Sequence, residues 1–176
     1  STAALDALVL SQDRYRRRYR LTSQMRVRAG DDYVGYVRAV LGAHPPRPRR
    51  FEGYDLRYFD DFDSMLREIK SRETEVGLAR LLAGYAWKWL SKKDRSAFDI
   101  SLGSYKLRWN QTDKDWVNSP GSVNEVGSIH TIQGYDLNYA GVIVGRDLCI
   151  RNGRIAFDRA QYFDTKGVEN NPSRGL

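Results

Sequence analysis

Cysteine and histidine are almost missing from this chain. One cysteine, Cys149, allows no internal disulfide. The only histidines are His44 and His130, so a structural zinc site of Cys and His has too few ligands. No run of 18 apolar residues exists, and the longest apolar piece, Leu78 to Leu90, is broken by Arg80 and Lys88. Ser1 to Leu10 is apolar but short and has no basic leader, so it does not read as a signal peptide. These absences give the expectation of a cytoplasmic chain with no membrane partner. Glycine-rich nucleotide fingerprints are missing too. There is no Gly-x-x-x-x-Gly-Lys-Ser/Thr, no Gly-x-Gly-x-x-Gly and no Gly-x-Ser-x-Gly.

What is present suffices for one ordinary domain. The chain has 176 residues, 41% of them hydrophobic, with 4 Trp, 11 Tyr and 6 Phe to fill a core. Its formal charge is +7, and the whole surplus lies in residues 1–50, which hold 11 Arg against 4 Asp. Residues 51–176 balance at zero. Arginine presents a rigid fork of donors suited to phosphate. The run Arg14-Tyr15-Arg16-Arg17-Arg18-Tyr19-Arg20 is therefore read either as a polyanion contact or as a solvated basic segment.

Along the chain, Leu5, Leu8 and Val9 suggest a short helix, and Tyr19 and Leu21 a strand start. Asp31 or Asp32 caps a helix over Tyr33 to Leu41, where Val34, Val37, Val40 and Leu41 recur at helical spacing. Pro45, Pro46 and Pro48 make residues 42–50 a linker. Leu56, Tyr58 and Phe59 fit a strand. A helix from about Ser64 to Arg72 follows, capped by Asp61 or Asp63. The apolar run 76–87 reads as a buried parallel strand, because Gly77 and Gly84 tell against a long helix. Trp87, Trp89, Trp109 and Trp116 lie in an irregular middle section, either filling the core or stacking on bases. Residues 123–129 and 138–144 read as strands joined by a helical turn. Asn152-Gly153 marks a hairpin between 148–150 and 155–157. The polar end, 170–176, looks frayed or cut.

Three chemistries can be weighed from single residues. Cys149 and His130 form a conceivable nucleophilic pair, though Cys149 lies in an apolar stretch. Asp55, Asp60, Asp61 and Asp63, or Asp113 and Asp115, are candidates for a metal-dependent nuclease, yet they also sit where aspartate caps helices. No metal site is expected. The richest segment runs from Gly127 to Gly145. Read as strand, polar turn and strand, it crowds Ser128, His130, Thr131, Gln133 and Asp136 at the carboxyl edge of a sheet, where open α/β folds place ligands. Gly134 allows a tight turn or close approach of backbone to phosphate.

Gly127-Ser128-Ile129-His130-Thr131-Ile132-Gln133-Gly134-Tyr135-Asp136-Leu137 resembles motif V of superfamily 1 helicases. More specifically, with Tyr139, Gly141, Val142 and Ile143, it resembles the Schlafen-type DNA/RNA helicase domain of bacterial proteins. Arg80 to Trp89 and Leu21 to Arg26 resemble the same family, and the likeness covers about residues 20–168. It implies an α/β fold: a RecA-like, P-loop NTPase-type three-layer domain with a mostly parallel sheet. This is the C-terminal motor domain, which lacks the P-loop. Residues 1–20 would then be a linker or the end of the preceding domain, 21–169 the RecA-like domain and 170–176 a disordered tail.

Such helicases clasp ATP between two RecA-like domains and track along a single strand. By resemblance Gln24 and Arg26 belong to motif IV, and Arg26 reaches the ATP phosphates as the catalytic cation. Gly134 and Asp136 face the nucleotide. Asp136 stands where the family usually has a longer Glu. Ser128, His130, Thr131 and Gln133 line the nucleic acid, with Gln133 where many relatives have Lys. The chain has no Walker motifs and no recognisable motif VI arginine. Phosphoryl transfer needs a phosphate cradle, a metal and positioned charge together. The isolated chain is therefore expected to be inactive and to hold no cofactor tightly. ATP and Mg2+ would act in the full-length protein, with the missing N-terminal RecA-like domain and single-stranded DNA or RNA as partners. The alternative is a stand-alone nucleic-acid-binding module without catalysis.

Overall fold

The computed structural model describes residues 30–42, 46–112 and 114–164. In chain order they form α1 (Gly30–Val40), α2 (Phe62–Val76), β1 (Ala79–Ala83), β2 (Ile100–Leu102) and β3 (Tyr105–Leu107). Then come β4 (Val126–Ser128), β5 (Tyr139–Ile143), β6 (Leu148–Arg151) and β7 (Arg154–Phe157). Short 3-10 turns occupy Trp116–Asn118, Ser122–Asn124 and Arg159–Gln161. The Gln24-Met25-Arg26 segment and the Arg14–Arg20 run lie outside the described residues. Among the described residues no helix is long and apolar enough to cross a membrane.

The core sheet is parallel throughout, in the order β4-β1-β5. Strand β1 is central, as its apolar run requires, because both of its faces are covered. Leu81 stands between Val126 and Gly141 in register. Residues 108–110 add a short parallel track outside β4: Val126 N–H donates to Arg108 O (2.9 Å) and Asn110 N–H to Val126 O (3.0 Å). The mixed α/β class with a largely parallel core sheet agrees with expectation.

Helix α2 covers one face. Asp61 is its N-cap, accepting from Ser64 N–H at 2.8 Å, and Gly77 closes it at φ 72° with its N–H on Glu73 O. Ile69 is buried against β5, where Gly141 has no side chain. A Cβ there would stand 2.8 Å from Ile69 and 3.0 Å from Leu81. The opposite face, carrying Arg80, Leu82 and Gly127, is covered by the two 3-10 turns before β4. The Trp116 ring lies 2.4 Å from where a Gly127 Cβ would sit. That layer is turns rather than helices, and it leaves Val142 on β5 61% exposed among the described residues. Among the described residues the third layer is therefore incomplete.

Arg80 links the layers. Its guanidinium donates through Nε and Nη2 to Val117 O and through Nη1 to Glu73 Oε2 (2.6 Å) and Ala79 O. Glu73 Oε2 also accepts from Ala79 N–H at 2.8 Å. Burial pushes the Glu73 carboxyl up, but these donors outweigh it and hold the group below the ordinary glutamate range. A second polar knot holds the irregular middle. Asp99 is buried and accepts from Ser91 N–H, Ser91 Oγ and Trp109 N–H. Glu125 Oε2 accepts from Trp116 Nε1 (2.7 Å) and Gln111 N–H (2.9 Å).

Three expectations change. Helix α1 starts at Gly30, so Asp31 and Asp32 lie within its first turn rather than capping a helix from Tyr33. Leu56, Tyr58 and Phe59 form no strand. Among the described residues that stretch has no ladder partner, and it is held by side chains instead. Tyr58 bonds Tyr36 on α1, Arg57 pairs with Asp55 and Glu68, and Phe51 packs edge-on to Tyr33 and Tyr36. The strand expected over 123–129 is only Val126–Ser128, because Ser122–Asn124 winds as a 3-10 turn. The hairpin stands where Asn152-Gly153 placed it, with both residues left-handed at φ 53° and 72°. Three of the clustered aspartates have structural partners: Asp55 pairs with Arg57, Asp61 caps α2, and Asp63 accepts from the Tyr105 hydroxyl and pairs with Arg67. Among the described residues no group of three or more His, Cys, Asp or Glu side chains could hold a metal ion.

Two stability predictions follow from these knots. Glu73→Ala strands the buried Arg80 guanidinium and should cost about 3–5 kcal/mol in urea unfolding followed by circular dichroism. Because the Glu73 carboxyl is depressed in the fold, its contribution is present above the ordinary glutamate range and lost as pH falls through its folded value. Glu73→Gln should flatten that acid limb. Trp116→Phe and Trp109→Phe remove the same atoms from buried positions, but only Trp116 has an indole N–H acceptor among the described residues. Trp116→Phe should therefore cost about 1–3 kcal/mol more than Trp109→Phe; equal losses would show that the Glu125 bond contributes nothing.

Candidate nucleic-acid interface

Strand β4 ends at Ser128, on the carboxyl edge of the parallel sheet, and the chain then makes two tight turns. Thr131 N–H donates to Ser128 O (3.0 Å) and Tyr135 N–H to Ile132 O (3.1 Å). Beneath the first turn the side chains lock. Thr131 Oγ1 donates to Asn110 Oδ1 at 2.9 Å and lies 2.8 Å from Ser128 Oγ. A hydroxyl has one proton, so Ser128 must be the donor in the Ser128–Thr131 bond. Ser128 is 1% exposed and Asn110 6%. The two tie the turn to the outer track of the sheet.

Above that lock the turn presents Ile129, His130 and Gln133 to solvent. The His130 side chain is 60% exposed, and its Nε2 lies 4.0 Å from Asp164 Oδ2. Its ring stands 5.9 Å from Tyr85, in the loop after β1. Phe163 N–H donates to Tyr85 O at 2.8 Å, which brings Asp164 to this edge. Gly134 has φ 90°, with open space where a Cβ would be. Glycine is needed there for the backbone angle rather than for room.

The structure divides the residues expected to act together. Ser128, His130 and Thr131 meet at the carboxyl edge, and Gln133 and Gly134 follow in the second turn. Asp136 does not join them. It lies two residues before Asn138, whose backbone N–H and Nδ2 are bonded to Leu78 O, Val76 O and Gly77 O at the amino end of β1. Two residues span at most about 7 Å, so Asp136 stands near the other end of the strands. The Asp115 carboxylate beside the Tyr135 hydroxyl holds the phenol proton above its ordinary range. Gln24 and Arg26 lie outside the described residues.

Cys149 donates to Ala156 O within the β6–β7 hairpin, and the recorded neighbours of His130 are Asp164 and Tyr85. The described turn thus offers hydrogen-bond donors and an exposed ring rather than an activated nucleophile. Trp109 and Trp116 are buried, so neither is a stacking platform; Trp87 and Trp89 are half-buried. Asn110, Tyr85 and Asp164 belong to the site but had no role from the sequence. Tyr85 lies in the Arg80–Trp89 segment that carries part of the family likeness. Asn110 and Asp164 have no motif, and only folding brings them near.

The family described as Schlafen group 3, DNA/RNA helicase domain, matches residues 2–174. An uncharacterized protein of Saccharomyces cerevisiae is 29% identical over 179 residues, covering 86% of this chain. The chain spans 39% of that relative's length. The relative is a yeast protein, so the likeness is not confined to bacterial proteins. No solved structure matches. A match over nearly the whole length, together with a parallel sheet whose carboxyl edge bears the Gly127–Gly145 segment, shows that the chain belongs to the Schlafen group 3 DNA/RNA helicase domain family.

Proposed function

We propose that this domain holds single-stranded DNA or RNA at the carboxyl edge of its parallel sheet and does no chemistry alone. One observation carries the reading. The turn after β4 is locked from below by Ser128, Thr131 and Asn110, while His130 and Gln133 face outward. A rigid turn with outward donors is preorganised for a backbone or base edge, because the cost of ordering it has been met in folding. Ser128 and Thr131 act as positioning residues, and His130 and Gln133 make the contact.

The nucleotide half of the reading concerns a longer protein. There the domain, over residues 21–169 with 1–20 and 170–176 as flanks, is the second RecA-like motor domain, and Arg26 and Gln24 reach ATP across the cleft. The described residues do not by themselves fit ATP. The chain has no Walker loop to cradle phosphates, and Asp136 stands near the amino end of the strands, away from Ser128. No hydrolytic step is assigned to it. ATP and Mg2+ would be held mainly by the preceding RecA-like domain, with Gly134 in this one at the closed cleft.

Fluorescence anisotropy with short single strands tests the first half. His130→Ala and Gln133→Ala should each weaken binding about 3- to 10-fold, the scale of one net hydrogen bond. Unchanged affinity in both variants would remove the turn from the interface. ATP turnover tests the second. The isolated chain should show none, whereas a protein extended in both directions should turn over ATP faster with single strands. Arg26→Ala should lower that rate by about 10³-fold; a near-normal rate would detach Arg26 from the cleft.

A further inference from the structure

The loop between β1 and β2 carries basic side chains with no carboxylate partner among the described residues. Several surface arginines elsewhere are committed: Arg49 to Asp32, Arg57 to Asp55 and Glu68, Arg67 to Asp63, Arg72 to Glu68 and Glu75. Lys88, Lys92, Lys93 and Arg95 are all exposed and pair with no carboxylate among the described residues. The two acids in that stretch are already engaged. Asp94 accepts from Ser96 N–H and Oγ, and Asp99 is buried under Ser91 and Trp109.

These cations sit among rings that run on from His130. Tyr85 lies 5.9 Å from His130 and 5.7 Å from the buried Trp109 ring, which lies 6.1 Å from Trp89. Lys92 Nζ stands 5.7 Å from the Trp89 centroid, and Lys88 Nζ 5.5 Å from that of Phe163. Phe163 is bonded through its N–H to Tyr85 O and precedes Asp164, the neighbour of His130. Trp89 and Phe163 are half-buried, and Trp89 packs against the core. Unpaired ammonium groups beside half-buried rings are the chemistry that takes phosphates and stacked bases together.

We infer that Lys88, Trp89, Lys92 and Phe163 form a second contact rail for a single strand, continuing the interface from His130 along the loop after β1. The inference rests on the proposed function, since it extends the same strand. The phosphates engage Lys88 and Lys92, and bases stack on Trp89 and Phe163. The bases supply affinity without sequence readout, because every base has a stacking face.

The test uses the whole 176-residue chain and a labelled oligothymidylate of about 12 nucleotides, with an abasic strand of equal length, across a salt series. Lys88→Glu with Lys92→Glu should weaken binding at least about tenfold and make the salt slope shallower by about 1.4, two single-strand phosphate contacts. Arg67→Glu with Lys70→Glu changes the charge equally on α2 and should leave both quantities nearly unchanged. The abasic strand should bind more weakly than the oligothymidylate, and Trp89→Phe should narrow that difference. Equal effects of the two charge reversals, or equal binding of the two strands, would overturn the rail. Binding that is lost in His130→Ala but kept in Lys88→Glu/Lys92→Glu would overturn the rail and leave the proposed function standing. If the unmodified chain binds neither strand, both fall.

Discussion

A guanidinium buried in the central strand is the constraint around which this domain is arranged. Arg80 is 5% exposed, in the middle of the sheet, where an ion must be paired and bonded or it is expelled. Its donors reach the end of α2 through Glu73 and the turn covering the opposite face through Val117 O. Helix, sheet and cover are thus bound to one side chain. Satisfying it fixes where α2 ends, and Glu73 also takes the first N–H of β1. A hydrophobic residue there would pack as well but would not specify which carbonyl lies above it.

The position of the candidate interface follows from that arrangement. With β1 central and β4 and β5 parallel to it, all three strands end on one side, and the loops after β1 and β4 meet there. Tyr85 comes to His130, and Phe163 and Asp164 are drawn in by the bond to Tyr85 O. Two glycines in the family segment allow close packing. Gly141 admits Ile69 from α2, and Gly127 admits the Trp116 ring. The segment that carries the outward donors thus also serves the core, which couples interface geometry to stability.

Much of this was legible in the residues. The Asn152-Gly153 hairpin, the helix cap expected at Asp61 or Asp63 and found at Asp61, and the parallel strand expected in the run 76–87 and found at Ala79–Ala83 are local or strongly patterned. The Gly127–Gly145 segment announced strand, turn and strand, and the carboxyl-edge placement of Ser128, His130 and Thr131 followed from sheet logic. Failures came where contacts at long separation decide. Leu56, Tyr58 and Phe59 read as a strand, but among the described residues they have no ladder partner; Tyr58 bonds Tyr36 on α1 and Arg57 pairs with Glu68 on α2 instead. Asp136 shared a motif with Ser128 yet stands near the opposite end of the strands, because the connection to β5 must travel back along their length.

The sequence by itself determined most of the element types, the family and which segment bears the outward donors, because these depend on local propensity, spacing and a specific run of residues. Tertiary structure alone decided that Ser128 lies beneath the turn and His130 above it. It decided that Asn110 rather than a motif residue holds Thr131, and that Lys88 and Lys92 stand beside rings with no carboxylate to neutralise them among the described residues. Burial, partner choice and charge pairing arise only when strands far apart in sequence are laid in register, and no local pattern encodes them.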